Sequence, residues 1–196
     1  VRDQGAIVRQ LGLDPQKYAN NLIQEEGGID KCSVPFNQDT PNDVPSDGIY
    51  VAPIISKENT GVRYAEILKQ IFNNESNAIE KNYDRAIQQE QPGGFTGHGR
   101  EEISFFWNTL ISAFPDSKFT IEHISYTEEK DQAKKAAIRW SLVGTHSGKG
   151  NFGNPSNTPV YVMGISHAEF GPRGIKNEWV LFDETIIWKQ ILMKTG

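Results

Sequence analysis

Apolar side chains recur with helical spacing between about residue 60 and residue 114 of the chain. The clearest stripe follows the i, i+3, i+4, i+7, i+8, i+11 pattern and consists of Ile103, Phe106, Trp107, Leu110, Ile111 and Phe114. This pattern predicts an amphipathic helix with one buried face. Pro115 should end the helix, because proline lacks an N–H and clashes with the preceding turn. Two earlier helices are predicted, one through about Asn73 and one from the cap Ser76 through about Tyr83.

Beyond Pro115 the helical spacing gives way to the alternation that is typical of strands. Four strands are predicted, at roughly residues 117–126, 134–146, 158–170 and 175–192. Helices followed by a run of long strands indicate an α+β domain with a curved antiparallel sheet. We expect the helix over residues 103–114 to cover part of the concave side of this sheet.

The turn Gly171-Pro172-Arg173-Gly174 predicts the register of the last two strands. Proline at the first loop position and glycine at the third suit a type I turn plus a bulge, which pairs Gly171 with Ile175. The same register sets His167 opposite Trp179, Ile165 opposite Leu181 and Met163 opposite Asp183, all on one sheet face. That face is mostly apolar with two titratable groups, so we expect it to be the inward-facing wall of a pocket. A slip of one residue would move His167 to the other face.

The first 59 residues show little periodic patterning. Residues 13–59 hold five prolines among Asn, Asp, Gly and Ser, which predicts a linker or irregular arm. Within this arm Ile49-Tyr50-Val51 could dock on the domain as an edge strand. Residues 1–12 resemble the end of the chain, because both segments place an aspartate seven residues before a glutamine. One hypothesis makes residues 1–12 the last strand of a preceding similar domain, with residues 60–196 as the next domain; the alternative is chance similarity between two short apolar strands.

Composition and charge narrow the classes of function. A formal net charge of -5 and a pI near 5.4 argue against nucleic-acid binding. The single cysteine, Cys32, excludes an internal disulfide and a cysteine-based zinc site. No apolar run approaches about 18 residues, so no membrane span is predicted and the cytoplasm is the default location. The four histidines stand far apart and no phosphate-binding loop follows a strand, so we expect neither a metal nor another cofactor.

Four short motifs follow one another in the second half of the chain: Ala113-Phe114-Pro115-Asp116, Gly144-Thr145-His146, a strand with His167, and Trp179-Val180-Leu181-Phe182-Asp183 followed by Gln190. Their order and spacing resemble the SnoaL-like polyketide cyclases of the nuclear transport factor 2-like (ketosteroid isomerase-like) superfamily. The resemblance covers about residues 60–192. It implies a cone-like antiparallel sheet with about three N-terminal helices. It also implies a cofactor-free cyclase or isomerase that acts on a carbonyl compound.

The resemblance gives Asp183 the role of the acid/base group in ring closure. A carboxylate in an apolar cavity has a raised pKa and becomes a useful base near neutral pH. The alternative is an aspartate near the sheet rim that binds backbone or water. His167 is expected to hydrogen-bond a substrate carbonyl and stabilise the enolate, the alternative being a structural, half-buried histidine. The family more often has its polar group at the position of Glu169.

The expected ligand is a small apolar or aromatic carbonyl compound. Residues expected to contact it are Trp179, Trp107, Phe106, Met163, Glu169 and His146. Core packing is the alternative for Phe106, and bonding to the backbone at a strand end is the alternative for His146. Residues 88–94 offer no histidine, although family members frequently carry one in this segment, so a second polar catalytic group is expected to be missing.

Two other functions fit the same sequence. The fold could hold a small apolar ligand without turning it over. It could instead be a dimerising domain, since Val162, Val180 and Phe182 form an apolar set on the sheet face opposite His167. A homodimer is the expected assembly.

Overall fold

The computed structural model describes residues 3–32 and 59–195, which form six helices and six strands. The helices are α1 (Gln4–Gln10), α2 (Pro15–Glu25), α3 (Thr60–Phe72), α4 (Ala78–Asn82), α5 (Gly99–Ala113) and α6 (Glu184–Thr195). The strands are β1 (Tyr83–Gln91), β2 (Phe95–His98), β3 (Lys118–Thr127), β4 (Lys134–Thr145), β5 (Pro159–Gly171) and β6 (Gly174–Phe182). The edge strand predicted at Ile49-Tyr50-Val51 lies outside the described residues. None of the helices within the described ranges is long and apolar enough to cross a membrane.

The six strands form one sheet in the order β2-β1-β6-β5-β4-β3. Neighbouring strands are antiparallel except β1 and β6, which run parallel. Helices α3 and α5 pack on one face of this sheet, so the predicted α+β class and antiparallel sheet are confirmed. Strands β1 and β2 were not predicted, because β1 has few of the β-branched and aromatic residues that mark a strand and β2 is only four residues long.

The predicted amphipathic helix is α5, which ends at Ala113, two residues before Pro115. Ile103, Trp107 and Leu110 on its apolar stripe are buried, as the periodicity predicts. The capping signals also explain α3, since the Asn59 side chain accepts a hydrogen bond of 2.9 Å from the backbone N–H of Val62.

The prediction that the last strand continues to residue 192 is wrong. Strand β6 ends at Phe182, and the Asp183 carboxylate then accepts hydrogen bonds from the backbone N–H groups of Thr185 (3.0 Å) and Ile186 (3.4 Å). An aspartate that satisfies the first N–H groups of a helix stabilises a helix start, which here begins α6.

Gln190 of α6 replaces the strand partner that β5 loses where β6 ends. Its Oε1 accepts from the Tyr161 N–H and its Nε2 donates to the Tyr161 carbonyl, both at 2.9 Å. One side-chain amide thus satisfies both backbone groups of a residue at an uncovered strand edge.

The N-terminal predictions are wrong in local structure. Residues 4–10 form a helix and not a strand, capped by Asp3, which accepts from the Ala6 N–H at 2.8 Å. Within the predicted linker, α2 begins at Pro15 behind the capping residue Asp14 and packs against α6, where Lys189 lies 2.6 Å from Glu26. The shared spacing of aspartate and glutamine is therefore that of two capped helices. The preceding similar domain stays a prediction.

Candidate active pocket and its polar network

The register predicted for the last hairpin is confirmed at two pairs. His167 pairs with Trp179 and Ile165 with Leu181. The turn differs from the predicted one, since Gly171 pairs with Gly174 and not with Ile175. The bulge lies in β5, between Glu169 and Phe170. The predicted pair between Met163 and Asp183 does not form, because β6 has already ended.

The prediction that this register makes His167 part of an inward-facing wall with Asp183 is wrong, since His167 and Trp179 instead line a depression of about 390 Å³ on the outer side of the sheet. The side chains of Trp179 and Met163 are 44% and 42% exposed, and His167 is exposed on the same outer face. Glu169 is also on this face, where it accepts from Asn177 at 3.0 Å and lies 3.6 Å from Lys135. These residues therefore do not meet the Asp183 carboxylate in a common cavity.

The buried face is the opposite one, and the reason is packing. Gly164 leaves room for the indole ring of Trp140, with which a Cβ at this position would overlap. The Trp140 indole N–H then donates to Ser166 Oγ at 2.9 Å. The inner side of β5 carries the small or polar residues Gly164, Ser166 and Ala168. From the sequence it therefore looked less apolar, and less like the core-facing side, than the outer side of the strand. Val162, Val180 and Phe182, which were considered for a docking face, are buried in the core.

A cavity of about 290 Å³ opens where α1, α5, the β1–β2 hairpin and the junction of β6 with α6 meet; we call it the mouth pocket. Its lining consists of Arg9, Gln91, Pro92, Phe95, Phe106, Leu110, Asn151, Phe152, Phe182 and Glu184. Among the residues that were expected to contact ligand, Phe106 lines this pocket. Its size and its aromatic walls with a few polar groups are those of a site for a small organic molecule.

A larger depression of about 970 Å³ lies elsewhere, beside the start of α3 and the β5–β6 hairpin. Its walls mix both charge signs, with Arg63, Lys134 and Lys176 facing a similar number of glutamates. Several of these charges are already paired, as between Lys134 and Glu128 at 3.7 Å. We favour the mouth pocket as the reaction site because four phenylalanine rings line it and because Phe182 and Glu184, the two neighbours of Asp183 in the chain, lie in its wall.

Asp183 is half-buried and stands in the chain between two residues that line the mouth pocket, Phe182 and Glu184, without lining it itself. Burial raises the pKa of Asp183 to about 6, although the N–H groups of Ile186 and Thr185 stabilise its charged form. The negative charges of Asp3 and Glu184 raise this pKa further. The carboxyl group therefore exchanges its proton close to neutral pH.

Helix α1 lies across the mouth pocket. The Arg9 guanidinium donates to both oxygens of Glu184, at 2.7 and 2.9 Å, and lies 5.1 Å from the centre of the Phe95 ring. The Asp3 carboxylate accepts from the Gly93 N–H at 2.9 Å. The hydrogen bond to Glu184 raises the pKa of Arg9, so this ion pair persists across the physiological range.

A second carboxyl group, that of Glu178, is buried inside the sheet and was missed by the sequence reasoning. Its Oε1 accepts from the hydroxyls of Tyr64 (2.6 Å) and Tyr83 (2.8 Å), and its Oε2 accepts from Gln89 Nε2 at 2.6 Å. Burial raises the pKa of Glu178, which the three hydrogen bonds oppose, and it raises the pKa of Tyr64 and Tyr83 well above the usual value.

The Glu178 cluster connects to the mouth pocket through β1. Gln91 Nε2 donates to Gln89 Oε1 at 2.9 Å, and Gln91 lines the pocket. Polar residues at alternate positions of a strand face one side, so the two glutamines were a usable signal once β1 is known. The segment that lacks a histidine thus still supplies polar groups to the interior.

Two of the expected ligand contacts lie in the core. Trp107 is fully buried, with its ring 5.4 Å from that of Phe72 and 6.5 Å from that of Trp140. Its indole N–H makes no hydrogen bond of good geometry within the described residues. The N–H dipole still stabilises the charged form of Glu178 and so lowers the pKa of that carboxyl group. His146 is buried too, and its Nδ1 lies 3.0 Å from Ser156 Oγ while its carbonyl accepts from the Ser156 N–H at 3.0 Å. The imidazole thus contacts a side-chain hydroxyl and not the backbone groups considered as its alternative partners, and burial lowers the pKa of His146.

The described residues contain no group of three or more His, Cys, Asp or Glu side chains that could hold a metal ion.

Comparison with known proteins identifies the family. The sequence profile of the SnoaL-like polyketide cyclases matches residues 63–191, from α3 into α6. The chain belongs to the SnoaL-like polyketide cyclase family. No match was found among curated protein sequences.

Solved structures described as candidate polyketide cyclases show the same fold, that of nuclear transport factor 2-like proteins. A candidate SnoaL-like polyketide cyclase from Jannaschia sp. CCS1 is 14% identical, covers 70% of this chain and 96% of its own, and has a TM-score of 0.57. A candidate polyketide cyclase from Pseudomonas putida KT2440 is 8% identical, with coverages of 68% and 98% and a TM-score of 0.55. IdmH, a candidate polyketide cyclase from Streptomyces antibioticus, is 17% identical, with coverages of 65% and 94% and a TM-score of 0.52.

Proposed function

We propose that this protein is a cofactor-free, polyketide-cyclase-like enzyme in which Asp183 removes a proton α to a carbonyl group. The observation that carries the proposal is the half-buried Asp183 carboxyl, whose pKa burial raises to about 6 and whose chain neighbours Phe182 and Glu184 line the mouth pocket. A base with a pKa close to the operating pH is both ionised and strong enough to accept a proton from carbon. The substrate is a small apolar or aromatic carbonyl compound.

The reaction starts with the substrate in the mouth pocket, against Phe106, Phe152 and Phe182. The α C–H bond breaks, its proton moves to the Asp183 carboxylate, and the electron pair left on carbon becomes an enolate. The enolate carbon attacks a second carbonyl of the same molecule and forms the ring bond, and the proton on Asp183 passes to the new alkoxide. No atoms or electrons from a cofactor are needed.

Electrostatics in the pocket support this assignment. Arg9 and Asn151 line it and carry N–H donors, which is the chemistry that a developing enolate oxygen requires. The apolar rings exclude water and so strengthen each of these interactions. Family membership supports the reaction class, since the similar solved structures are described as candidate polyketide cyclases.

The test is Asp183→Asn, assayed with a panel of β-keto and polycyclic carbonyl compounds for binding and for deuterium exchange at the α-carbon. Asparagine keeps the helix cap but cannot accept the proton, so exchange should fall about 10²–10⁴-fold while affinity changes little. Asp14→Asn is the matched control, because Asp14 caps α2 in the same way. Binding without exchange in the unmodified protein would instead indicate a non-catalytic ligand-binding domain.

A second candidate function, self-association, rests on the outer sheet face. Met163 and Trp179 are 42% and 44% exposed on adjacent strands, with Ile165 and Leu181 half-buried between them. Such an apolar patch on a sheet face commonly meets a partner surface. We propose a second copy of this chain as that partner, and Trp179→Glu tests it.

A further inference from the structure

Gln91 stands at the end of a chain of hydrogen bonds whose direction is fixed from its buried end. The Glu178 carboxylate accepts hydrogen bonds from three neighbours, one of which is Gln89 through its Nε2. The Gln89 NH₂ group faces Glu178, whose Oε2 accepts its hydrogen bond at 2.6 Å while Oε1 accepts from the two tyrosine hydroxyls. The Gln89 carbonyl oxygen then faces Gln91.

The second amide in the chain is oriented by the first. Because Gln89 offers an oxygen, Gln91 must turn its own NH₂ group inward, and its Nε2 donates to Gln89 Oε1 at 2.9 Å. Gly97 on β2 gives this nitrogen its space, since a Cβ at Gly97 would lie 2.6 Å from Gln91 Nε2. One N–H of Gln91 is used in this bond and the nitrogen is packed against Gly97, so the atom of Gln91 that can accept a hydrogen bond from a ligand in the mouth pocket is Oε1.

Resting on the proposed function of the mouth pocket, we infer that Gln91 Oε1 is a specificity-determining acceptor that selects ligands carrying a hydroxyl or enol O–H. Gln89 and Glu178 are positioning residues, because they do not contact the ligand and act only by orienting the amide of Gln91. A neutral amide can ordinarily present either its oxygen or its nitrogen to a ligand. Here the hydrogen bonds that run from Gln91 through Gln89 to Glu178 remove that choice.

The substrate class narrows accordingly. An aromatic or polyketide-derived carbonyl compound with a phenolic or enolic hydroxyl can donate to Gln91 while its rings contact Phe106 and Phe182. A ligand of the same shape with an ether in place of the hydroxyl would leave the Gln91 oxygen without a donor. An unsatisfied acceptor in a partly dry pocket weakens binding.

The experiment compares 2-naphthol with 2-methoxynaphthalene by isothermal titration calorimetry on the whole chain. The unmodified protein should bind the naphthol about 3- to 10-fold more tightly, which is the usual value of one net hydrogen bond. Gln91→Leu should reduce this ratio to about 1. Gln88→Leu is the matched control, since Gln88 is on the same strand but exposed, and it should keep the ratio of the unmodified protein.

Glu178→Gln tests the positioning chain. With an amide in place of the carboxylate the chain of hydrogen bonds can run in either direction, so the ratio should fall toward 1 although Gln91 is unchanged. Equal affinities for the two probes in the unmodified protein, no binding of 2-naphthol, or a ratio that survives Gln91→Leu would each overturn the inference. If the affinity ratio falls in Gln91→Leu but is unchanged in Glu178→Gln, the positioning role of the hydrogen bonds from Glu178 to Gln91 is overturned.

The outcome is separable from that of the proposed chemistry. Asp183→Asn should keep the binding ratio while deuterium exchange falls. If exchange is unaffected by Asp183→Asn but the ratio behaves as expected, the catalytic proposal fails alone. If exchange falls and the unmodified protein does not distinguish the probes, the selectivity inference fails alone.

Discussion

Replacing Gln190 by leucine should cost this protein a substantial part of its stability. The change keeps the size of the side chain but removes both bonds to Tyr161 at the edge of β5. Each backbone group left without a partner in a buried place costs about 1–3 kcal/mol. Since Tyr161 is half-buried, water recovers part of this loss, and we expect the free energy of unfolding to fall by about 2–4 kcal/mol.

The assay is equilibrium unfolding in urea, followed by tryptophan fluorescence and by circular dichroism to test for a two-state transition. Gln10→Leu is the matched control, because Gln10 occupies the corresponding place on α1 but is exposed, and its effect should stay within about 0.5 kcal/mol. Gln190→Glu should lie between the two, since a carboxylate can accept from the Tyr161 N–H but cannot donate to its carbonyl. A loss below about 0.5 kcal/mol for Gln190→Leu would refute the view that this amide replaces a strand partner.

Two further predictions concern pH and assembly. The pKa of Asp183 is about 6 in the folded protein against an ordinary 3.8, so its contribution to stability is greatest below pH 4 and is lost as pH rises to 6, by at most about 3 kcal/mol. Urea unfolding at pH 4 and pH 7 should therefore show a stability advantage of the native chain over Asp183→Asn that shrinks with rising pH; an advantage that grows would contradict the raised pKa. Trp179→Glu should lower the mass in sedimentation velocity from dimer to monomer. Lys176→Glu is the control, because Lys176 is an exposed residue of the same strand that lines the larger depression, and it should leave the mass unchanged. A monomer at all concentrations for the unmodified protein would remove the self-association proposal.

The helices and long strands could be predicted from the sequence because their signals are local. The stripe on α5, the stop at Pro115 and the pairing of His167 with Trp179 each depend on neighbours within a few residues. The choice of buried sheet face is not local, since it depends on which side α3 and α5 cover. The face with Met163 and Trp179 looked more apolar, but the helices cover the face with Ser166 and Glu178.

The candidate site was predicted in part. Asp183 was identified from the family motif, yet its helix-capping geometry was hidden because an apolar segment of its length fits a strand as well as a helix. Glu178 could not be found, because Trp179 was predicted to face the pocket, and alternation along the strand then puts Glu178 on the solvent side, where glutamate is ordinarily found. Its partners Tyr64, Tyr83 and Gln89 come from three separate stretches of chain, and only the folded sheet brings them together.

The position of Arg9 has a consequence for how this protein is divided for study. Family similarity begins at residue 63, yet one wall of the mouth pocket is contributed by a helix that ends at residue 10. A fragment trimmed to the aligned region would keep Asp183 and lose the cation that neutralises its neighbour Glu184. Its pocket would be wider, wetter and more negative, so measurements on such a fragment would describe a different binding site. The part of the chain that forms the pocket is larger than the part that matches the family.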